Sequence, residues 1–214
     1  MNAPKIKICG LTRAADIDAA LALGVDYIGI NLYPPSPRAV VDPHKVRELL
    51  SRIPQEKRVA VAVEPTPARL QELRDLGFHH LQVHFRPDHA EERMVAWRDA
   101  VGVDHLWLAP KLGTEINTFP TEWLDYANTW MIDTPAAGVF GGTGKVGDWD
   151  RFWRWRSSHP EKQWILAGGL SPENLAEAIR EASPDILDFN SRIESAPGIK
   201  DPRRMKLIWE KLPP

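Results

Sequence analysis

One cysteine, Cys9, stands in a chain of 214 residues. No intramolecular disulfide can form, a cysteine-based zinc site is disfavoured, and a lone free thiol fits a reducing compartment, here the cytoplasm. No stretch approaches the ~18 apolar residues of a spanning helix. The first ten residues, Met1 to Gly10, lack the long apolar segment of a secretory signal. Charge of either sign is nearly absent in the balance: the net value is -2, which leaves neither a nucleic-acid footprint nor a polybasic membrane face. No pair of histidines or carboxylates has metal-ligand spacing such as H-x-x-x-H on a helix, so no metal is expected. Linkers and low-complexity segments are missing too. Pro34-Pro35-Ser36-Pro37 is a stiff loop with strand and helix patterns on both sides. A single domain over residues 1–214 is expected.

What the chain does contain is alternation. Hydrophobic residues at 43% and charged residues at 26% are ordinary for a globular domain, and this length buries a core without covalent staples. Strand-like runs read Lys5–Ile8, Tyr27–Asn31, Arg58–Val63, His80–His84, His105–Ala109, Thr129–Ile132, Gln163–Ala167 and Ile186–Phe189. Helical runs follow at Ala14–Leu23, Pro43–Arg52, Pro67–Leu76, His89–Val101, a short one near Thr121–Tyr126, Asp148–Ser157, Pro172–Ala182 and Pro202–Lys211. Asp42-Pro43, Thr66-Pro67, Ser171-Pro172 and Asp201-Pro202 each set a capping side chain before a proline at the first helical position. Gly24 and Gly77 stand just past two helices as stop signals. Strand–helix alternation requires a mostly parallel sheet with right-handed crossovers. Eight such units predict an α/β fold that closes as a (β/α)8 TIM barrel, near the ~200-residue lower limit of that architecture. The alternative, an open doubly wound sheet, usually carries G-x-G-x-x-G after its first strand; Cys9-Gly10-Leu11-Thr12 stands there instead. The nine tryptophans are expected to fill the core and the helix packing.

In a barrel the site lies at the C-terminal strand ends. Strand 1 delivers Cys9, which is either a base or nucleophile with a lowered pKa or a small buried hydrophobe. Strand 6 delivers Asp133 behind Trp130-Met131-Ile132. This apolar approach raises a carboxyl's proton affinity and suits an acid; a loop cap is the plain reading. Five glycines follow within ten residues, Gly138, Gly141, Gly142, Gly144 and Gly147. Such a run sacrifices backbone entropy and lets a ligand approach closely. Gly168-Gly169 before Ser171-Pro172 suits a phosphate at a helix N-terminus, or is an ordinary tight turn. Asn190-Ser191-Arg192 forms the other side of that position. Arg38 can grip an anion or stay a surface arginine, and His84 is a polar site group or a strand-end histidine.

Lys7-Ile8-Cys9-Gly10-Leu11-Thr12, Ser36-Pro37-Arg38, Leu81-Gln82-Val83-His84, Asp133 with Gly141-Gly142-Thr143-Gly144-Lys145 and Asp148-Trp149, Ala167-Gly168-Gly169-Leu170 with Pro172-Glu173-Asn174, and Ile193-Glu194 through Pro197-Gly198 to Lys200-Asp201 occur in that order. With these motifs the chain resembles the phosphoribosylanthranilate isomerase family of tryptophan biosynthesis over nearly its whole length. The resemblance implies a cofactor-free Amadori rearrangement of a phosphoribosylamine of anthranilate to a 1-deoxyribulose derivative. By that resemblance Asp133 is the general acid on the ribose ring oxygen and Cys9 the base at C2′. Arg38 contacts the anthranilate side. Gly168, Gly169, Asn190, Ser191 and Arg192 bind the phosphate, with His84 and Gly142 in the substrate wall. The glycines 141–144 pack at the phosphate end or close over substrate. The implied partner is a small phosphorylated substrate, with no nucleic acid or membrane, and the chain acts as a monomer or homodimer. The sequence departs from the family pattern at Phe85 and Arg192, each in place of a glycine, at Ala109-Pro110, and in strand 2, where the usual G-F-x-F reads Gly29-Ile30-Asn31-Leu32. These departures leave open a paralogue acting on another phosphorylated sugar, or a non-catalytic barrel that binds a phosphometabolite or a partner.

Overall fold

The structure, a computed structural model, describes residues 3–134 and 148–212. Eight parallel strands, β1 (Lys5–Cys9), β2 (Tyr27–Asn31), β3 (Arg58–Val63), β4 (His80–Phe85), β5 (Leu106–Pro110), β6 (Thr129–Asp133), β7 (Gln163–Ala167) and β8 (Ile186–Phe189), close a barrel in chain order, with β8 pairing back on β1. The crossovers are α1 (Ala14–Ala22), α2 (Pro43–Leu50), α3 (Pro67–Asp75), α4 (Ala90–Val101), a 3-10 turn at Thr121–Tyr126, α5 (Trp149–Ser158) and α6 (Leu175–Ala182), with α7 (Pro202–Lys211) closing the ring. The caps expected at Asp42, Thr66 and Asp201 are made: their side chains accept from His44 N at 2.9 Å, Arg69 N at 3.2 Å and Arg203 N at 2.8 Å.

Two departures from the sequence pattern are local. Ser171-Pro172 does not open α6, which begins three residues later at Leu175. Asn174 explains the delay. Its Oδ1 accepts from Ser171 N at 2.8 Å and its Nδ2 donates to Gly169 O at 3.1 Å, so the backbone groups of this loop are satisfied by a side-chain bridge rather than by a helical turn. After β8 the chain also makes an unexpected antiparallel hairpin, β9 (Glu194–Ala196) with β10 (Ile199–Lys200), turned by Pro197-Gly198.

The strand period of two sorts side chains between two cores. Outward residues join the helices in the large outer core, including Leu81, Val83 and Phe85 of β4. Trp97, Trp130 and Trp164 are buried there, and Phe119 meets Trp130 at 4.9 Å and Trp164 at 5.0 Å between ring centroids. Phe85 is 2% exposed, its ring against Trp97 at 5.5 Å and Trp123 at 6.0 Å. The departure at position 85 therefore thickens the helix layer and directs its ring away from the barrel axis. Two tryptophans depart from burial: Trp209 is partly buried and Trp153 is 46% exposed. Inward residues form a second, smaller core of Tyr27, Val59, Trp107, Ala109, Met131, Ile165, Ala167 and Ile186. Its floor is aromatic: His80 stacks on Trp107 at 4.5 Å and Tyr27 meets Trp107 edge-on at 4.9 Å. Above that floor the inward positions turn polar.

Candidate active site

The polar layer sits at the C-terminal strand ends. There Cys9, His84, Asp133, Gly168, Gly169, Asn190, Ser191 and Arg192 all line one cavity of about 490 Å³. Strand period and register bring them together. Cys9 pairs with Gly29 of β2, His84 lies between Val63 of β3 and Ala109 of β5, and Asp133 pairs with Ala167 of β7. A second cavity, of about 610 Å³, shares Tyr33, Val63, His84, Met131 and Asp133 with the first and continues toward Lys111, Arg86 and Glu64. Asp133 thus stands where the two cavities meet.

Asp133 is open to solvent at the mouth, but its carboxyl is pushed up from the ordinary value, first by the desolvating walls and then by the negative charge of Asp188. Behind it Thr134 is fully buried and ties β6 to β7, with its N and Oγ1 donating to Ala167 O at 3.0 and 2.9 Å. Cys9 is 4% exposed. Burial pushes its thiol up, and the ammonium of Lys7 pulls it back. His84 is pushed down to about 4 by burial and by Lys7, so it is neutral at physiological pH. The Gln82 side-chain amide hydrogen-bonds His84 Nε2 at 2.7 Å.

Gly168 has φ +95°, and a Cβ there would sit 1.9 Å from Thr134 O and 2.8 Å from Asp133 Oδ1. Only glycine permits the β7 loop to pass this close to the β6 carboxylate. Gly169 follows with φ +64°. Two consecutive left-handed residues at a strand end, held by the Asn174 bridge, make a preformed concave turn facing Asn190, Ser191 and Arg192 across the cavity. Arg192 is exposed, and its carbonyl accepts from Arg204 Nε at 2.6 Å.

Arg38 is placed differently from the rest. It is absent from the cavity lining, and its guanidinium grips Glu194, with Nε at 2.9 Å from Oε1 and Nη2 at 2.7 Å from Oε2. Lys200 Nζ lies 2.7 Å from the same Oε1 and 3.0 Å from Asn190 Oδ1. Against burial, which raises it, the two cations hold the Glu194 carboxyl below the usual range. This cluster fixes the hairpin to the strand-8 loop. Gly142, with the rest of its glycine run, lies outside the described residues.

Sequence reasoning passed over Lys7 and Asp188. Lys7 is 0% and Asp188 9% exposed, paired at 2.7 Å inside the barrel. The signal was present: a lysine in Lys5–Cys9 and an aspartate in Ile186–Phe189, each inside an otherwise apolar central strand. Charges in such positions are almost never buried unless paired. Among the described residues no helix is long and apolar enough to cross a membrane.

A family model described as N-(5'phosphoribosyl)anthranilate (PRA) isomerase matches residues 6–211. N-(5'-phosphoribosyl)anthranilate isomerase of Legionella pneumophila (strain Corby) is 36% identical over 96% of this chain and 97% of its own length. The protein of that name from Chromohalobacter salexigens is 34% identical over 99% of this chain and 95% of its own. Among solved structures, phosphoribosyl anthranilate isomerase from Thermotoga maritima aligns with a TM-score of 0.76 at 26% identity, covering 97% of this chain and 98% of the other.

Proposed function

Since the chain belongs to the N-(5'-phosphoribosyl)anthranilate isomerase family, we propose that Cys9 and Asp133 carry the proton transfers of its reaction. The enzyme converts N-(5'-phosphoribosyl)anthranilate to 1-(2-carboxyphenylamino)-1-deoxyribulose 5-phosphate, an aldose–ketose isomerisation of tryptophan biosynthesis. In the proposed sequence Asp133 gives its proton to the ribose ring oxygen. The ring opens to a Schiff base. The Cys9 thiolate then removes the proton from C2′, and the enolamine tautomerises to the ketone. One observation supports this assignment above others: a thiol and a carboxyl of raised proton affinity, from β1 and β6, line the same cavity. The phosphate is assigned to the turn at Gly168-Gly169 with Asn190, Ser191 and Arg192, a position after strands 7 and 8 that suits backbone N–H donors. Arg192 brings a cation to that end. Arg38 serves the site through the wall, its ion pair with Glu194 holding Lys200 and, through it, Asn190. A single domain over residues 1–214, acting in the cytoplasm as a monomer or homodimer, completes the proposal.

Purified protein mixed with freshly made phosphoribosylanthranilate should consume it at a catalytic rate, with product formation followed by fluorescence. A folded sample with background activity would sink the reading. Gly168→Ala should raise KM at least about tenfold and lower kcat as well, because the added Cβ displaces the turn assigned to the phosphate and would lie 2.8 Å from Asp133 Oδ1. An unchanged KM in that variant would remove the phosphate from this turn.

A further inference from the structure

The mechanism above leaves one buried pair of charges without a role. Lys7 and Asp188 point inward from neighbouring strands, opposite each other in the β1–β8 register, with Nζ 2.7 Å from Oδ1. A buried ion pair is weak evidence of stability, since apolar residues of similar volume often replace one without loss. Its position is more informative. At Gly29, the β2 partner of Cys9, a Cβ would lie 2.9 Å from Cys9 Sγ and 3.3 Å from Lys7 Nζ. Both head groups converge over the space that this glycine leaves empty. The sulfur and the ammonium therefore lie within about 6 Å of each other, the reach over which an opposite charge stabilises an ion. On the other side, Asp188 lines the same cavity as Asp133.

We propose that the Lys7–Asp188 pair is a positioning device: Lys7 holds its positive charge beside the Cys9 sulfur, Asp188 holds its negative charge toward Asp133, and together they bias both groups toward the reactive thiolate and carboxylic acid. This rests on the assignment of Cys9 as base and Asp133 as acid. The other charges facing these groups are few among the described residues. Lys200 of the hairpin and Arg38 of the β2 loop add positive charge toward Cys9. His84 of β4 is neutral. Asp188 is the charged neighbour that acts on Asp133. The direction is consistent on both sides: Lys7 lowers the proton affinity of Cys9, and Asp188 raises that of Asp133. Asp188 also acts on Cys9 in the opposing sense, but more weakly than Lys7 does. Lys7 is fully buried, so it works through Cys9 and touches no substrate.

Cys9 is the only thiol, so its ionisation is read directly from ultraviolet thiolate absorbance, with Cys9→Ala as the blank. Two variants are compared with the parent. Lys7→Met removes the ammonium, and Lys7→Met with Asp188→Leu replaces the pair by apolar volume in case the single change fails to fold. Circular dichroism verifies the fold of each. The expected result is an upward move of the thiol midpoint, by about one pH unit or more in Lys7→Met and less in the double variant. kcat at neutral pH should fall about tenfold per unit, with KM changed much less. A thiol midpoint that stays in place in a folded variant overturns the proposal. The titration needs no turnover, so it separates this outcome from failure of the base assignment itself, which would appear as retained activity in Cys9→Ala.

Discussion

Cys9→Ala should lose about three to four orders of magnitude in kcat/KM while the protein keeps its fold and melting temperature. The size follows from what a positioned general base supplies, roughly 10²–10⁴ in rate, at a carbon acid where bulk water is a poor substitute. Melting should hardly move, because Cys9 packs on the backbone of Gly29 and the change removes a single atom. Cys9→Ser tests the same point more narrowly. A hydroxyl is close in size to the thiol, so the packing survives, yet its proton is far harder to remove, and the loss should be nearly as large. The residual rate of Cys9→Ala should depend on one remaining group. It should be flat at acid pH and fall as Asp133 ionises. Retention of even a tenth of the parental kcat/KM would take the base role away from this residue.

Much of this site could be read in the chain because barrel geometry turns sequence position into spatial position. Once eight strands alternate with helices, the last residue of each strand must reach one mouth. The observed strands begin and end within a residue of the patterned runs: β1 reaches Cys9 and β6 reaches Asp133. Apolar alternation and capped helix starts are local signals, and they survive folding. Less legible was whatever depends on neighbours brought close by closure. Lys7 and Asp188 are 181 residues apart, and nothing local says that one neutralises the other. Arg38 reads as free to grip an anion until the hairpin after β8 delivers Glu194 to it. Phe85 reads as a side chain filling the cavity, whereas it lines the second cavity while the period of β4 turns its ring outward, against Trp97 and Trp123. At Ser171-Pro172 the local rule for a helix start is overridden by Asn174, whose side chain satisfies the loop first.

Asp133→Asn should cost about two to four orders of magnitude in kcat/KM and should also change the shape of the pH profile. The reaction needs Cys9 ionised and Asp133 protonated. Burial raises both groups, the Cys9 thiol from an ordinary value of 9.0 and the Asp133 carboxyl from one of 3.8, so the carboxyl starts far below the thiol. Between those two midpoints most molecules hold the reverse arrangement, thiol and carboxylate. Raising the pH there gains thiolate and loses carboxylic acid in equal proportion, so the productive fraction is constant and the parental profile is a plateau. Its acid limb reports Asp133, and its alkaline limb reports Cys9. The raised proton affinity of Asp133 works in the enzyme's favour, because each unit by which the gap narrows enlarges the productive fraction about tenfold. In Asp133→Asn the compensating loss disappears. The small remaining rate should follow the thiolate alone and climb with pH across the range where the parent is flat. Measuring log kcat/KM against pH for the two proteins decides it: a variant that keeps the plateau, however slow, would mean that Asp133 is not the acid.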